Sequence, residues 1–411
     1  MVYDSGSVGP AEIAAAAAAS GVEVRFVIDR TSPHVAQLAP VLNRWLAVHD
    51  ITGTTVREAV AGWRPDGIVT FSDLCMRTTA RLADGWGLEH WHTPELTELL
   101  TDKLAQRRAL AAAGVDSTRN VAVSTIEELP GVLATVGLPA VLKPRRGCGG
   151  RHVYRVDDLA DARDAARQYF ADRPDDDPLL VEELLQGDPT VAGDEWGDYL
   201  SVDAVLHEGR FTQLCIVGKF PLAPPFRERG FFLPATVNAD TADAVVAMTR
   251  DAVRALGVRY GIVHTELKLT VAGPRILEVN GRVGGHVPDL LRRAGGPDAV
   301  ALALWTSLGQ APQTRPPTHP GVTYQYVLLP PCDANALRAV GGLAALRAID
   351  GVDVVDVRAM SGPVDWRDGA FGRLGKVHGR VANHHALAGV ATLIESTFRP
   401  VFAHTGLDEM L

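Results

Sequence analysis

The chain has 411 residues, of which 49 are acidic and 40 basic, for a formal charge of -9. That length points to two or three domains. With 46% hydrophobic and 22% charged residues there is material for an ordinary core, and the net acidity argues against an electrostatic nucleic-acid binder. Cys75, Cys148, Cys215 and Cys332 lie far apart with no CxxC pair, which argues against a disulfide framework or zinc knuckle and fits a reducing cytoplasm. No apolar run approaches the roughly 20 residues of a membrane span. Lysine occurs only at Lys103, Lys143, Lys219, Lys268 and Lys376, and arginine supplies the other 35 basic residues.

The first ninety residues alternate between strand and helix patterns, as in a small parallel α/β domain. Val2-Tyr3 is a short strand remnant, Gly6 to Pro10 a turn, Ala11 to Ser20 a helix, and Val22 to Asp29 and Gly67 to Phe71 strands. The alanine run Ala14 to Ala19 lacks a basic segment before it and meets a strand at once, so it reads as helix rather than signal peptide. Gly6-Ser-Val-Gly9 is only a fragment of a dinucleotide fingerprint and reads as a tight turn.

Thr93-Pro94 is a helix start, with threonine as cap and proline in the first turn. That helix, in one or two pieces, runs to Ala113. Pro139 to Pro144 is a strand, followed by the glycine-rich loop Arg145 to His152 and the strand Val153 to Val156. Asp157 to Phe170 is a helix, Asp172 to Pro178 an acidic surface loop, and Leu179 to Leu185 a buried strand entering a hinge. Gly187 to Gly197 is a polar insertion. Tyr199 to Leu206 and Phe211 to Val217 form a hairpin, Ala242 to Leu256 a helix, and Gly261 to Thr270 with Arg275 to Asn280 a second hairpin. A proline-rich linker, Ala311 to Pro320, precedes a small α+β appendage with strands at Tyr324 to Leu329, Val352 to Val357 and Gly375 to Val381.

Three segments carry chemistry. In a hairpin centred near Ala272, Glu266 stands opposite Glu278, and alternation puts Lys268 and Asn280 on the same face. Two facing carboxylates destabilise a sheet unless a cation or proton lies between them. Glu, Glu and Asn offer hard oxygens, which suit Mg²⁺ shared with substrate phosphates. A one-residue register shift would divide the two glutamates between faces. Lys143 at a strand end gives a point charge for a phosphate, and Gly147, Gly149 and Gly150 let backbone N–H groups approach one. No Gly-Lys-Ser/Thr follows, so this is not a Walker A loop. Glu182 and Glu183 end an apolar strand, a pattern that serves a core strand or an adenine-binding hinge.

In order and spacing these segments resemble the ATP-grasp superfamily over roughly Thr93 to Ala311: Lys103 in a helix, Lys143-Pro with a glycine loop, an acidic hinge, then Glu-x-Lys and Glu-x-Asn-x-Arg. Glu278-Val-Asn-Gly-Arg282-Val-Gly-Gly285, Gly218-Lys219-Phe-Pro and Phe226 to Pro234 are more like the L-amino acid ligase branch, which joins amino acids through an acyl phosphate. The resemblance implies an ATP-grasp fold, α/β and α+β, with a preceding α/β domain at 1–92, the ATP-grasp domain at 93–311 with a lid at about 115–182, and a C-terminal α+β subdomain at 320–411. It implies that Lys103 and Lys143 contact ATP phosphates under the loop Gly147 to Arg151, which includes Gly149 and Gly150. Glu182, Glu183 and Leu185 would frame adenine, and Asp198 the ribose. Glu266, Glu278 and Asn280 would hold two Mg²⁺ ions, with Mn²⁺ as the substitute. Arg282 would bind the substrate carboxylate and acyl phosphate, with Gly285 beside it. Lys219, Arg227 and Arg229 are candidates for a second substrate's carboxylate, His286 for the base that accepts the amine's proton, and Lys268 for the γ-phosphate. His152 stands where the family usually has glycine.

The expected activity is an ATP-dependent carboxylate–amine ligase in the cytoplasm, acting on amino-acid-like substrates, without nucleic-acid or membrane partners, and associating as a homodimer. A biotin-carboxylase-like or D-alanine-ligase-like enzyme is the alternative, and a non-catalytic nucleotide-binding protein ranks below it. His90 and His92 form HxH with no third ligand nearby in sequence, and His384-His385 is equally incomplete as a zinc site.

Overall fold

The computed structural model describes residues 1–172 and 178–404. The acidic loop expected at Asp172 to Pro178 thus falls almost wholly outside the described residues. Among the described residues the strands, in chain order, are β1 Arg25–Ile28, β2 Ala47–Asp50, β3 Asn120–Val123, β4 Ala140–Pro144, β5 Tyr154–Val156, β6 Leu179–Glu183, β7 Tyr199–His207, β8 Arg210–Lys219, β9 Gly230–Leu233, β10 Gly261–Thr270, β11 Gly273–Asn280, β12 Val322–Leu328, β13 Ala334–Gly341, β14 Val352–Val357, β15 Gly362–Pro363, β16 Gly375–Val381 and β17 Arg399–His404.

At the start of the chain β1 and β2 pair in parallel, and Val2 bridges in parallel to Val27 and Thr70. Gly67 to Phe71, expected as a strand, is reduced among the described residues to a single bridge, Thr70 to Val2 in the short stub at the start of the chain. The helix expected from Thr93 to Ala113 is two helices, Pro94–Thr101 and Lys103–Ala112. Asp102 leaves the helical conformation (φ -110°, ψ 104°) and its carboxylate accepts from the N–H groups of Leu104 and Ala105. One residue thus ends the first helix and caps the second.

A four-stranded antiparallel sheet, ordered β3-β6-β4-β5, packs on the helices Leu129–Val136 and Leu159–Asp172. It has its own apolar core, including Leu129, Leu142, Tyr154, Tyr169 and Val181. The main sheet has eight strands in the order β11-β10-β7-β8-β9-β12-β16-β14, antiparallel throughout. A three-stranded sheet, β15-β13-β17, completes the C-terminal part.

Two features depart from the sequence reading. β9 was not expected; it is a four-residue strand, all buried, and it links β8 to β12. Through it the C-terminal strands extend the main sheet instead of forming a separate appendage. The cause is visible in β12: all seven of its residues are buried, so it needs a partner on each edge. No described helix is long and apolar enough to cross a membrane.

Candidate active site

The site grows from one face of the main sheet. Register places Glu266 directly opposite Glu278, and His264 opposite Asn280. A bulge between Glu266 and Leu267 then shifts the ladder toward the two-residue turn. On the other edge of β10, His264, Glu266 and Lys268 stand opposite Asp203, Ser201 and Tyr199 of β7. Opposed residues share a face, so a charged residue inside the apolar strand Tyr199–His207 was the signal that should have singled out Asp203. The face continues across the sheet, with Lys219 opposite Phe231, Phe231 opposite Gln325, and Gln325 opposite His378.

The charged groups around the hairpin are paired. Glu278 pairs with Lys103 at 3.0 Å, and the same ammonium donates to the Gly147 carbonyl at 2.8 Å. Lys103 sits at the first residue of its helix because Asp102 caps that helix. Burial works against its charge, but Glu278 outweighs burial and holds Lys103 above the usual lysine range. Lys219 is 1% exposed and pairs with Glu228 at 2.7 Å and Glu266 at 3.4 Å. Its ammonium lies 4.7 Å from the Phe231 ring centre and 5.4 Å from that of Tyr199. Burial disfavours the charge on Glu266, yet Lys219 and His264 together hold its carboxyl well below the usual range. His264 Nδ1 bonds the fully buried Asp203 carboxylate at 3.0 Å, and its Nε2 lies 3.4 Å from Glu266. Burial opposes the imidazolium, but Asp203 and Glu266 push it up to about 9.

Arg282 is held by Asp73, Nε to Oδ1 at 2.9 Å and Nη2 to Oδ2 at 2.6 Å, and also donates to the Val283 carbonyl. His286 stacks on Phe231 with ring centres 3.9 Å apart. Burial first, then Lys219, His264, Lys376 and Arg282, push it well below its usual range, so it is neutral. Its Nε2 finds no partner among the described residues, and neither do Tyr199 Oη and Ser201 Oγ on the same face. Gly285 lies against Ser7.

The glycine loop closes over the hairpin from the other side. Gly147, Gly149 and Gly150 all have positive φ, and at Gly149 a Cβ would fall 2.9 Å from the Phe371 ring. His152 also has positive φ (52°), which is why glycine is the easier residue there. The loop is clasped by the turn Trp366–Gly372: Ala370 N–H donates to Gly149 O at 2.7 Å, His152 N–H to Arg367 O at 3.1 Å, and Arg151 pairs with Asp368 at 3.0 Å. Sequence reasoning gave no hint of this clasp, since the two segments lie over two hundred residues apart.

The remaining expected residues are dispersed or differently engaged. Lys143 pairs with Glu182 at 2.7 Å, and Arg107 grips the same carboxylate with Nε at 2.9 Å and Nη2 at 3.1 Å. Glu183 is engaged by the Arg119 backbone and guanidinium, and Leu185 is half-buried beyond the strand end. Asp198 receives Lys268 Nζ at 2.6 Å and packs on Gly187. Arg227 donates to the Pro224 and Pro330 carbonyls, and Arg229 pairs with Glu395 on an exposed edge. Both arginines brace backbone or rim.

Glu266, Glu278 and Asn280 form a hard-oxygen set whose carboxylates already need two ammonium groups for compensation. That donor chemistry fits Mg²⁺. Beside it, Asp203, His264 and His286 also gather their ligand atoms within 4.8 Å of one another.

Residues 136–288 match the family model for the ATP-grasp domain. The chain is 30% identical to carnosine synthase 1 of Gallus gallus over 271 residues, which is 61% of this chain and 28% of that protein. It is 26% identical over 253 residues to alanine–anticapsin ligase of Bacillus subtilis strain 168, covering 58% of this chain and 53% of that one. The chain thus spans about half the length, or less, of these curated relatives. Its structure superposes on L-amino acid ligase from Bacillus licheniformis with a TM-score of 0.76 at 18% identity, over 98% of each chain. Domain match and fold agree that this chain carries an ATP-grasp domain.

Proposed function

We propose that the chain is an ATP-dependent carboxylate–amine ligase that joins amino-acid-like substrates through an acyl phosphate. The observation that supports this most is the hairpin: Glu266 opposite Glu278, with Lys103 bridging Glu278 to the glycine loop at Gly147. This reading takes residues 1–92 as the preceding α/β unit, 93–311 as the ATP-grasp unit with its lid at about 115–182, and 320–411 as the C-terminal subdomain.

In this reading ATP lies between the glycine loop and the hairpin. Lys103 and Lys143 lie toward its phosphates, and Glu266, Glu278 and Asn280 hold Mg²⁺, which supplies charge neutralisation on the transferred phosphoryl group. The substrate carboxylate attacks the γ-phosphate, ADP leaves, and the amine attacks the acyl carbon while phosphate departs. Arg282 presents a planar guanidinium suited to the carboxylate and then to the oxyanion. Lys219 lies too deep, with both its carboxylates in place, to take a substrate carboxylate directly. Its part in this reading is to hold Glu266 and Glu228 in position. The unengaged Nε2 of His286 makes it the candidate to receive the amine's proton, although burial and the surrounding cations weaken it as a base.

The test is ADP and phosphate release from ATP with pairs of amino acids, with and without Mg²⁺. Release that needs both supports the ligase. AMP and pyrophosphate as products would sink the acyl-phosphate route, and ADP formed from bicarbonate alone would move the chain to the carboxylases.

A further inference from the structure

Of the five lysines, Lys376 is the one with no ion pair among the described residues, and its position is informative. It follows Gly375 in β16, opposite Val327 of β12 and Asp356 of β14. His378, two residues on, pairs with Gln325, which in turn pairs with Phe231. Lys376 therefore stands on the same sheet face as the hairpin carboxylates. The path between them is short: Glu266 Oε1 to Lys219 Nζ is 3.4 Å, Lys219 Nζ to the Phe231 ring centre 4.7 Å, and that centre to Lys376 Nζ 6.0 Å.

Lys376 is not alone. Arg358 continues the ladder beside it, its N–H donating to Leu374 O at 2.9 Å, and Arg373 lies just before β16. None of the three has a carboxylate within 4.0 Å among the described residues. Their polar contacts are neutral acceptors: Lys376 to Gln325 Oε1 at 2.8 Å, Arg373 to Ala370 O at 2.5 Å and Arg358 to Phe371 O at 3.0 Å. Each guanidinium keeps several donors unspent. Asp356, opposite Lys376, acts on both arginines from beyond ion-pair distance, while Asp289 and Glu228, which act on Lys376, are already paired with Arg293 and His378 and with Lys219. Three cations without an ion pair thus share one nearby acid that is not already paired, which leaves a local excess of positive charge. Ala370 and Phe371 belong to the turn that clasps Gly149, so the excess lies next to the closing loop.

We infer that Lys376, Arg373 and Arg358 form an anion-binding subsite that selects a substrate carrying a negatively charged oxyacid group distant from the reacting centre. The inference rests on the ligase reading for the word substrate, and on geometry alone for the word anion. A side-chain carboxylate and a phosphate monoester share the required chemistry. Burial and the neighbouring Arg373 push Lys376 down to about 8, with Asp289 and Glu228 offsetting them only in part.

The probes are L-glutamate and O-phospho-L-serine with their neutral counterparts L-glutamine and L-serine, titrated by calorimetry into the full chain with ADP and Mg²⁺. At least one anionic probe is expected to bind about ten-fold or more tightly than its neutral counterpart. Lys376→Gln and the exposed Arg358→Gln should each erase most of that preference. Preference for glutamate alone identifies a carboxylate ligand; preference for phosphoserine alone identifies a phosphate. Equal binding of charged and neutral probes overturns the subsite, as does a preference that survives both substitutions. Arg358 lies at the surface, so its replacement reads the subsite even where Lys376→Gln fails to fold. ADP release with the same probes is measured separately. Selective binding without ADP release would refute the ligase and leave the subsite standing, and ADP release without selectivity would do the reverse.

Discussion

Asp73 holds Arg282 in a two-pronged grip, 2.9 and 2.6 Å, across 209 residues of sequence. The pair ties the segment before the helix Met76–Trp86 to the loop after β11, and it fixes the plane of the guanidinium proposed to meet the substrate carboxylate. Burial opposes the charge on Arg282, and Asp73 more than restores it.

Asp73→Ala should therefore lower kcat/KM for the carboxylate substrate by roughly 10- to 100-fold, the worth of a charge-assisted bond of about 1.5–3 kcal/mol. KM for ATP should change less, because Asp73 bonds Arg282 directly and reaches Lys103 only through its charge. Steady-state phosphate release against each substrate separates the two parameters. An equal loss in both would mean Asp73 serves folding rather than orientation.

Glu278→Gln keeps the shape of the side chain and removes one charge from the facing pair. Turnover is expected to fall by about a thousand-fold or more, with ATP still binding weakly, since metal and positioned ammonium act on the same developing charge. Lys103 would lose its 3.0 Å partner and with it part of its hold on Gly147. ADP formation together with fluorescent nucleotide binding checks this. Full turnover in the variant would remove the hairpin from the metal site.

Much of this site was legible because it is local. The Glu266–Glu278 opposition follows from a hairpin whose turn is readable in Val271-Ala-Gly-Pro274, and the register held at that pair although a bulge shifts the ladder just beyond it. Lys103, expected from its spacing to the glycine loop, does reach Gly147 and Glu278, whereas Lys143 pairs with Glu182. What escaped was made by contacts between distant segments. Asp73 on Arg282, Arg107 on Glu182 and the clasp of Gly149 by Phe371 have no periodic signature, because their partners lie tens to hundreds of residues apart. Asp203 is the intermediate case: a lone carboxylate in an apolar strand was a visible signal, and its meaning depended on β7 pairing with β10.

Glu182 makes a pH prediction. Burial disfavours its charge, but Arg107 and Lys143 outweigh burial and hold the carboxyl at about 2, against 4.5 for a free glutamate. A carboxyl whose folded value is depressed stabilises the fold fully above the unfolded value and loses that contribution as pH falls toward the folded one. Stability should thus drop between about pH 4.5 and pH 2. Glu182→Gln should cost about 3–5 kcal/mol at pH 7, because it removes the carboxylate shared by buried Arg107 and Lys143 and leaves Arg107 only Asp116, at 3.7 Å, and should flatten that acid slope. Urea unfolding at several pH values reads both effects. A variant as stable as the parent would show that Arg107 is satisfied by Asp116 and by its carbonyl contacts to Ile276 and Leu277.

Lys376 makes the opposite prediction, on binding. Its value is pushed from 10.5 down to about 8 by burial, with Arg373 and Arg358 adding repulsion and Asp289 and Glu228 only partly offsetting them. Asp356 stands opposite it, and His378 on its own strand is already engaged by Asp289. In the free protein the ammonium is mostly present at pH 7 and mostly lost at pH 9. The preference for an anionic over a neutral probe should therefore shrink by about ten-fold as pH rises through that window, while the two arginines retain a residual preference. A bound anion favours the ammonium, so protons should be taken up on binding near pH 8, which calorimetry in buffers of different ionisation enthalpy detects. Lys376→Arg should keep the preference and abolish its pH dependence. A wild-type preference that is flat from pH 7 to 9 would place the anion elsewhere, since among the unmatched cations in this cluster only the lysine titrates in that range.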